Sequence, residues 1–240
     1  MSAPGDYFLT TRWTQVLAAQ GASTQASAAL SDLCAAYYRP VHAYVARTAH
    51  DLGDARDLTH DFFARLLARP ALAGAEREKG RFRGYLLGAV KHYLAETRGR
   101  LHAAKRGAQH EHVPLVSSTE TSHGVELNDP NAELADALFD RQWGHAVLEH
   151  ALSRLAAEHE QQGKADQFQL LKRWLTGGAG GGDQAAAAAQ LGLSEGAVKV
   201  AIHRLRKRFR DSVKAEIAQT VSSEQEARDE MRYLIEVVST

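Results

Sequence analysis

Apolar residues return every three to four positions through most of this chain, as in Leu30, Leu33 and Tyr37 and again in Leu58, Phe62 and Leu66. That is the helical period, and alternating strand patterns are scarce, so the expected fold class is all-α, with two helical domains joined by a flexible linker. Residues 1–24 are expected to form an N-terminal arm. The first domain is expected over 25–106, with Pro40 breaking or kinking its opening helix and Pro70 ending the helix that carries Phe62 and Phe63. Over 107–132 the stripe fails among Ser117, Ser118, Thr119, Thr121, Ser122, Gly124 and several histidines, which reads as the linker.

Asp129 followed by Pro130 suits an N-cap and first helical position. Beyond it Leu134, Leu138, Leu148, Leu152 and Leu155 are expected to line one side of a long helix. Phe168, Leu171 and Leu175 mark a shorter one, and the second domain spans 133–212. Ser223 with Glu226 makes a capping box ahead of Met231, Leu234, Ile235 and Val238, which predicts an amphipathic helix in a C-terminal extension over 213–240. That helix either packs on the second domain or serves as a partner surface.

The strongest local pattern lies between Gln184 and Arg210. Ala185 to Leu191 favour a short helix, Gly192 and Leu193 supply a tight turn, and Ser194 can cap a second helix beginning at Glu195. Val198, Ile202, Leu205 and Phe209 fall on one face of that second helix. This is a helix-turn-helix in outline. In such motifs the early residues of the second helix meet base edges, while later basic residues grip phosphates. The base-proximal candidates are Glu195, Gly196, Ala197, Lys199, Val200 and His203, the phosphate candidates are Arg204, Arg206, Lys207, Arg208 and Arg210, and the capping Ser194 is counted with them as part of the DNA-binding segment.

Charge supports this once its distribution is considered. Lys and Arg together number 29, as do Asp and Glu, and a net charge of zero would ordinarily argue against a nucleic-acid binder. Yet no acid interrupts Gly196 to Arg210, Glu96 is the lone acid between Lys79 and Arg106, and Asp51, Asp54, Asp57 and Asp61 crowd one short stretch. The balance conceals two basic patches and one acidic one.

Other chemistries find little support. The single cysteine, Cys34, excludes an internal disulfide framework and reads as a small core residue. The glycine run from Gly177 to Gly182 lacks the Gly-Lys-Ser/Thr of a phosphate-binding loop and reads as a connector. Asp54, Asp57, Asp61 and His60 have spacings that a metal or a carboxylate pair could use, but no second ligand set is evident, and an interaction surface is the preferred reading. His102, His110, His112 and His123 read as part of a polar segment rather than a metal site. No catalytic residue, metal or cofactor is expected. No apolar run approaches the roughly 20 residues that span a bilayer, and the start has no leader pattern, so a soluble cytoplasmic protein without membrane contact is expected.

Three segments together resemble the sigma-70 family of RNA polymerase sigma factors, in its extracytoplasmic-function group. The stretch from Asp54 to Leu67 is similar to region two, Phe82 to Glu96 resembles the helix that follows it, and Leu191 to Val200 is similar to region four. The resemblance implies a region-two-like domain over 25–106 and a region-four-like helix-turn-helix domain over 133–212, without the intermediate sigma domain. It implies docking of Asp54, Asp57 and Asp61 on core RNA polymerase, minus-thirty-five contacts by the second helix, and minus-ten contacts by Arg83, Tyr85, Lys91, His92, Tyr93, Arg98 and Arg100. The implied partners are core polymerase and promoter DNA, with an anti-sigma factor or other regulator. His60, His92 and Ala197 depart from the family's usual Gln, Asn and bulkier residue. The competing reading is a one-component helix-turn-helix regulator that binds duplex DNA without polymerase.

Overall fold

Chain segments with a helical apolar period and few interior breakers form helices wherever a partner covers the apolar stripe. A computed structural model of the protein describes residues 24–68, 81–107, 130–175, 177 and 183–239, and among these there is no strand. Of the linker expected over 107–132, residues 108–129 lie outside the described residues, as do the segment around Pro70 and most of the glycine run, whereas Gly107 ends one helix and 130–132 begin the next. Nine α-helices are described: α1 (Thr24–Ala36), α2 (Tyr38–Thr48), α3 (Ala55–Ala68), α4 (Phe82–Gly107), α5 (Pro130–Gln161), α6 (Ala165–Leu171), α7 (Asp183–Leu191), α8 (Glu195–Ala218) and α9 (Glu224–Ser239). None of them is long and apolar enough to cross a membrane.

The chain divides into two compact units, and the division falls within α5, between Trp143 and Gly144. In the unit that ends at Trp143, Pro40 sits in the first turn of α2, where a proline costs no hydrogen bond, and the break between α1 and α2 falls at Tyr37. Leu33, Val41, Val45, Phe62, Leu66, Phe82, Leu86, Val90 and Leu94 are buried, so α4 turns its Phe82, Leu86, Val90 and Leu94 stripe inward. Tyr37 meets Phe82 edge-on at 5.0 Å. Cys34 is buried among these side chains, which pushes its thiol up to about 12, as befits a core residue rather than a reactive one.

The stripe of α5 differs from the one expected. Leu134 is 56% exposed, and Leu138, Leu148 and Leu152 are only half-buried, whereas Ala135, Phe139, Trp143, Ala151 and Leu155 are buried. The large aromatic rings set the helix rotation, because burying Phe139 and Trp143 removes more apolar surface from water than burying the leucines beside them.

In the unit from Gly144 onward, Leu155, Phe168, Leu171, Trp174, Ala187, Ala188, Val198, Ile202 and Leu205 form one core. The C-terminal helix α9 packs here, one of the two uses expected of it. A Cβ at Gly144 would lie 2.8 Å from Val238 and 3.2 Å from Leu234 and Val237, so only glycine admits α9 this closely. Ser223 caps α9 by accepting from the Glu226 amide at 3.2 Å, but Glu226 reaches back to the amide of Ser222 at 2.8 Å, one residue earlier than the usual capping box. The inward face of α9 centres on Glu230 and Leu234, and Ile235, expected on that face, is 59% exposed.

Candidate nucleic-acid interface

The α7–α8 turn is built as its residues dictate. Gly192 adopts φ +63°, the left-handed conformation that glycine enters without steric cost. The Leu193 amide then donates to the Ala188 carbonyl at 3.0 Å and the Gly192 amide to Ala189 at 3.4 Å, the paired bonds of a Schellman stop. Ser194 follows in extended conformation, and its hydroxyl accepts from the Ala197 amide at 3.2 Å, capping α8. Val198, Ile202 and Leu205 bury the inner face, with Phe209 half-buried beside them. Ser194→Ala is therefore expected to cost about 1 kcal/mol, read as a lower urea midpoint, with the helical content unchanged.

Outside that face, Glu195, Gly196, Ala197, Lys199, Val200 and His203 are exposed, as expected of base-proximal positions. Lys199, His203, Lys207 and Arg210 follow one another at helical spacing and form one exposed stripe whose Lys199, Lys207 and Arg210 are cations. The remaining cations do other things. Arg206 donates through both Nε and Nη2 to the Trp174 carbonyl at 3.2 Å, so its guanidinium ties α8 to the helical turn that follows α6. Arg204 and Arg208 stand roughly 140° and 180° around the helix from Lys199. They line a separate pocket, and Arg208 approaches Glu158 at 3.6 Å.

The basic residues of α4 are more heavily engaged than their spacing suggested. Arg83 pairs with Asp140, its side chain only 13% exposed, and its guanidinium lies 5.0 Å from the Trp143 ring centre. Arg98 donates to the Thr48 carbonyl and to Asp51, an ion pair at 3.3 Å, and that bond holds the Asp51 carboxyl below its usual range. Tyr93 is buried against Phe62 at 5.6 Å, so it packs the core instead of offering a stacking surface. Tyr85 is half-buried and stacked on Phe82. Lys91 is exposed and meets Asp136 at 2.6 Å; His92 and Arg100 are exposed.

Asp54, just before α3, and the two acids within it likewise have separate roles. Asp54 caps the helix, accepting from the amides of Arg56 at 2.8 Å and Asp57 at 3.1 Å. Asp61 accepts from the Tyr93 hydroxyl at 2.8 Å and pairs with Arg65 at 2.9 Å. Partial desolvation opposes its ionisation, but these two donors outweigh it and lower the Asp61 pKa. Burial first, and then the bond to Asp61, push Tyr93 up to about 12. Asp57 stands exposed in the first turn. His60 is bonded to the Tyr38 hydroxyl at 2.9 Å.

Sequence reasoning passed over Asp136, Asp140 and Trp143. Their signal was present as two acids and two aromatic residues, Phe139 and Trp143, each four residues apart on α5. Among the described residues no group of three or more His, Cys, Asp or Glu side chains could hold a metal ion, and His110, His112 and His123 lie outside them. No protein-family model, curated protein or solved structure matches the chain.

Proposed function

We propose that this protein is a sigma-type initiation factor that carries core RNA polymerase to promoters, and that it works by binding rather than by catalysis. The observation that carries the DNA-binding part is the capped α7–α8 turn, which presents Lys199, His203, Lys207 and Arg210 as an exposed stripe on α8. Such a stripe neutralises phosphates while Glu195, Gly196, Ala197 and Val200 lie against base edges in a major groove. The sigma assignment within that class rests on the resemblance of the segments 54–67, 82–96 and 191–200.

On this reading the contacts fall to fewer residues. Asp57 is the acid of α3 left to meet a basic face of core polymerase, since Asp54 caps the helix and Asp61 holds Tyr93 and Arg65. Lys91, His92 and Arg100 are the exposed residues of α4 that would meet the opened minus-ten strand. Arg83, Arg98 and Tyr93 support the unit from within. The factor would work in the cytoplasm without metal or cofactor, with a regulator such as an anti-sigma protein controlling it.

Retention of a pool of genomic promoter fragments tests this reading, with and without core polymerase. Sequence-selective retention that needs core polymerase is expected. Tight, selective binding of duplex DNA by the protein alone, with the twofold symmetry of a dimer, would instead identify a one-component regulator.

A further inference from the structure

A half-open pocket of about 180 Å³ lies between the end of α5, α6 and the middle of α8, wholly within the unit from Gly144 onward. Its volume is roughly that of six waters in the liquid, room for one anionic group with a small ring or chain behind it. The floor is apolar: Phe168, Leu171 and Leu205 are buried. The His159 ring lies 5.2 Å from that of Phe168 and is fixed by a 2.7 Å bond between its Nδ1 and the Leu155 carbonyl.

The rim has the opposite character. Lys164, Arg204 and Arg208 line it together with Gln162 and Gln167, and no lining residue is acidic. Glu158 stands outside the lining, and its single charge is shared between Arg208 at 3.6 Å and Arg154 at 3.5 Å. Both separations exceed those of a strong charge-assisted bond. Three cations gathered over a hydrophobic floor repel one another, and a neutral or cationic guest would not relieve that repulsion. An anion does, and two guanidiniums one helical turn apart suit the several oxygens of a phosphoryl group better than a lone carboxylate.

We propose that this pocket binds a small molecule carrying a phosphoryl group on an apolar or aromatic body. Arg204, Arg208 and Lys164 hold the phosphoryl oxygens, and the body rests on Phe168, Leu171 and Leu205. The site does not depend on the DNA-binding reading, because its cations stand on a different face of α8 from the Lys199–Arg210 stripe.

The test is titration of the full-length protein with phenyl phosphate and, separately, inorganic phosphate at constant ionic strength, followed by ¹H–¹⁵N NMR in the absence of DNA. Saturable shifts are expected at amides over 162–171 and 201–208, with micromolar to low-millimolar affinity. Phenyl phosphate should bind more tightly than inorganic phosphate. Arg204→Gln with Arg208→Gln should weaken binding at least tenfold while leaving circular dichroism unchanged, and Arg228→Gln, a cation of α9 remote from the pocket, should leave the affinity as it is. Phe168→Leu should reduce the advantage of phenyl phosphate over inorganic phosphate. The proposal is overturned by shifts that do not saturate, by equal affinity in the folded double variant, or by equal binding of both probes. Displacement of phenyl phosphate by duplex DNA at stoichiometric concentration would also overturn it, assigning the pocket to the DNA backbone.

Discussion

Asp140→Ala is expected to destabilise the unit ending at Trp143 by about 3–5 kcal/mol, far more than the loss of an exposed ion pair, for which about 0–1 kcal/mol is usual. The Arg83 and Asp140 side chains are 13% and 10% exposed, and the guanidinium is further enclosed by the Trp143 ring. Removing the carboxylate leaves a nearly buried charge with its main partner gone, and the arginine cannot escape by losing its proton. Replacing both residues, Arg83→Met with Asp140→Leu, should recover most of the loss, because an apolar pair of similar volume needs no compensation. Urea unfolding followed by circular dichroism measures both, and a cost below about 1 kcal/mol for Asp140→Ala would show the pair to be solvated.

Changing Lys199, Lys207 and Arg210 together to Gln should weaken DNA binding on the order of a hundredfold to a thousandfold near 0.1 M salt. It should also reduce the slope of log affinity against log salt by roughly 3. Each cation that neutralises a phosphate releases condensed counterions, so its loss appears in the slope as well as in the affinity. Arg206→Gln provides the contrast within the same helix. Its guanidinium is bound to the Trp174 carbonyl, so the expected result is lower stability with little change in slope. Filter binding over a range of salt concentrations distinguishes the two, and a triple variant with the wild-type slope would remove the stripe from the interface.

Much of this architecture was legible in the sequence because local rules and tertiary packing agree there. Gly192, Ser194 and the Val198–Ile202–Leu205 face specify a stop, a cap and a buried stripe, and the structure realises each of them. The same holds for Phe82, Leu86, Val90 and Leu94 in α4. Where rotation about a helix axis depends on a distant partner, periodicity was insufficient. A leucine stripe and an aromatic stripe coexist on α5, and packing of Phe139 and Trp143 selects the second. Ile235 turned outward for a similar reason, since Gly144 admits the Leu234, Val237 and Val238 side of α9.

Charges were harder still to read. A cation on a helix looks the same in sequence whether it meets solvent, a carboxylate on another element or a backbone carbonyl. Arg83, Arg98 and Arg206 are each committed to such a partner from 32 to 57 residues away, and no local pattern announces it. The phosphate candidates on α8 therefore divide by position around the helix, into the Lys207–Arg210 stripe, the anchoring Arg206, and the pocket pair Arg204 and Arg208. Hydrogen bonds sort the exposed acids Asp54, Asp57 and Asp61 in the same way, since Asp54 caps α3 and Asp61 holds Tyr93 and Arg65.

Run-off transcription with purified core RNA polymerase on a pool of genomic promoters tests the central claim most directly. Discrete start sites are expected that appear only when core polymerase and this protein are both present, and that fade with the Lys199, Lys207 and Arg210 triple variant. An unchanged transcript pattern, with the protein binding specific duplex sites by itself, would contradict it.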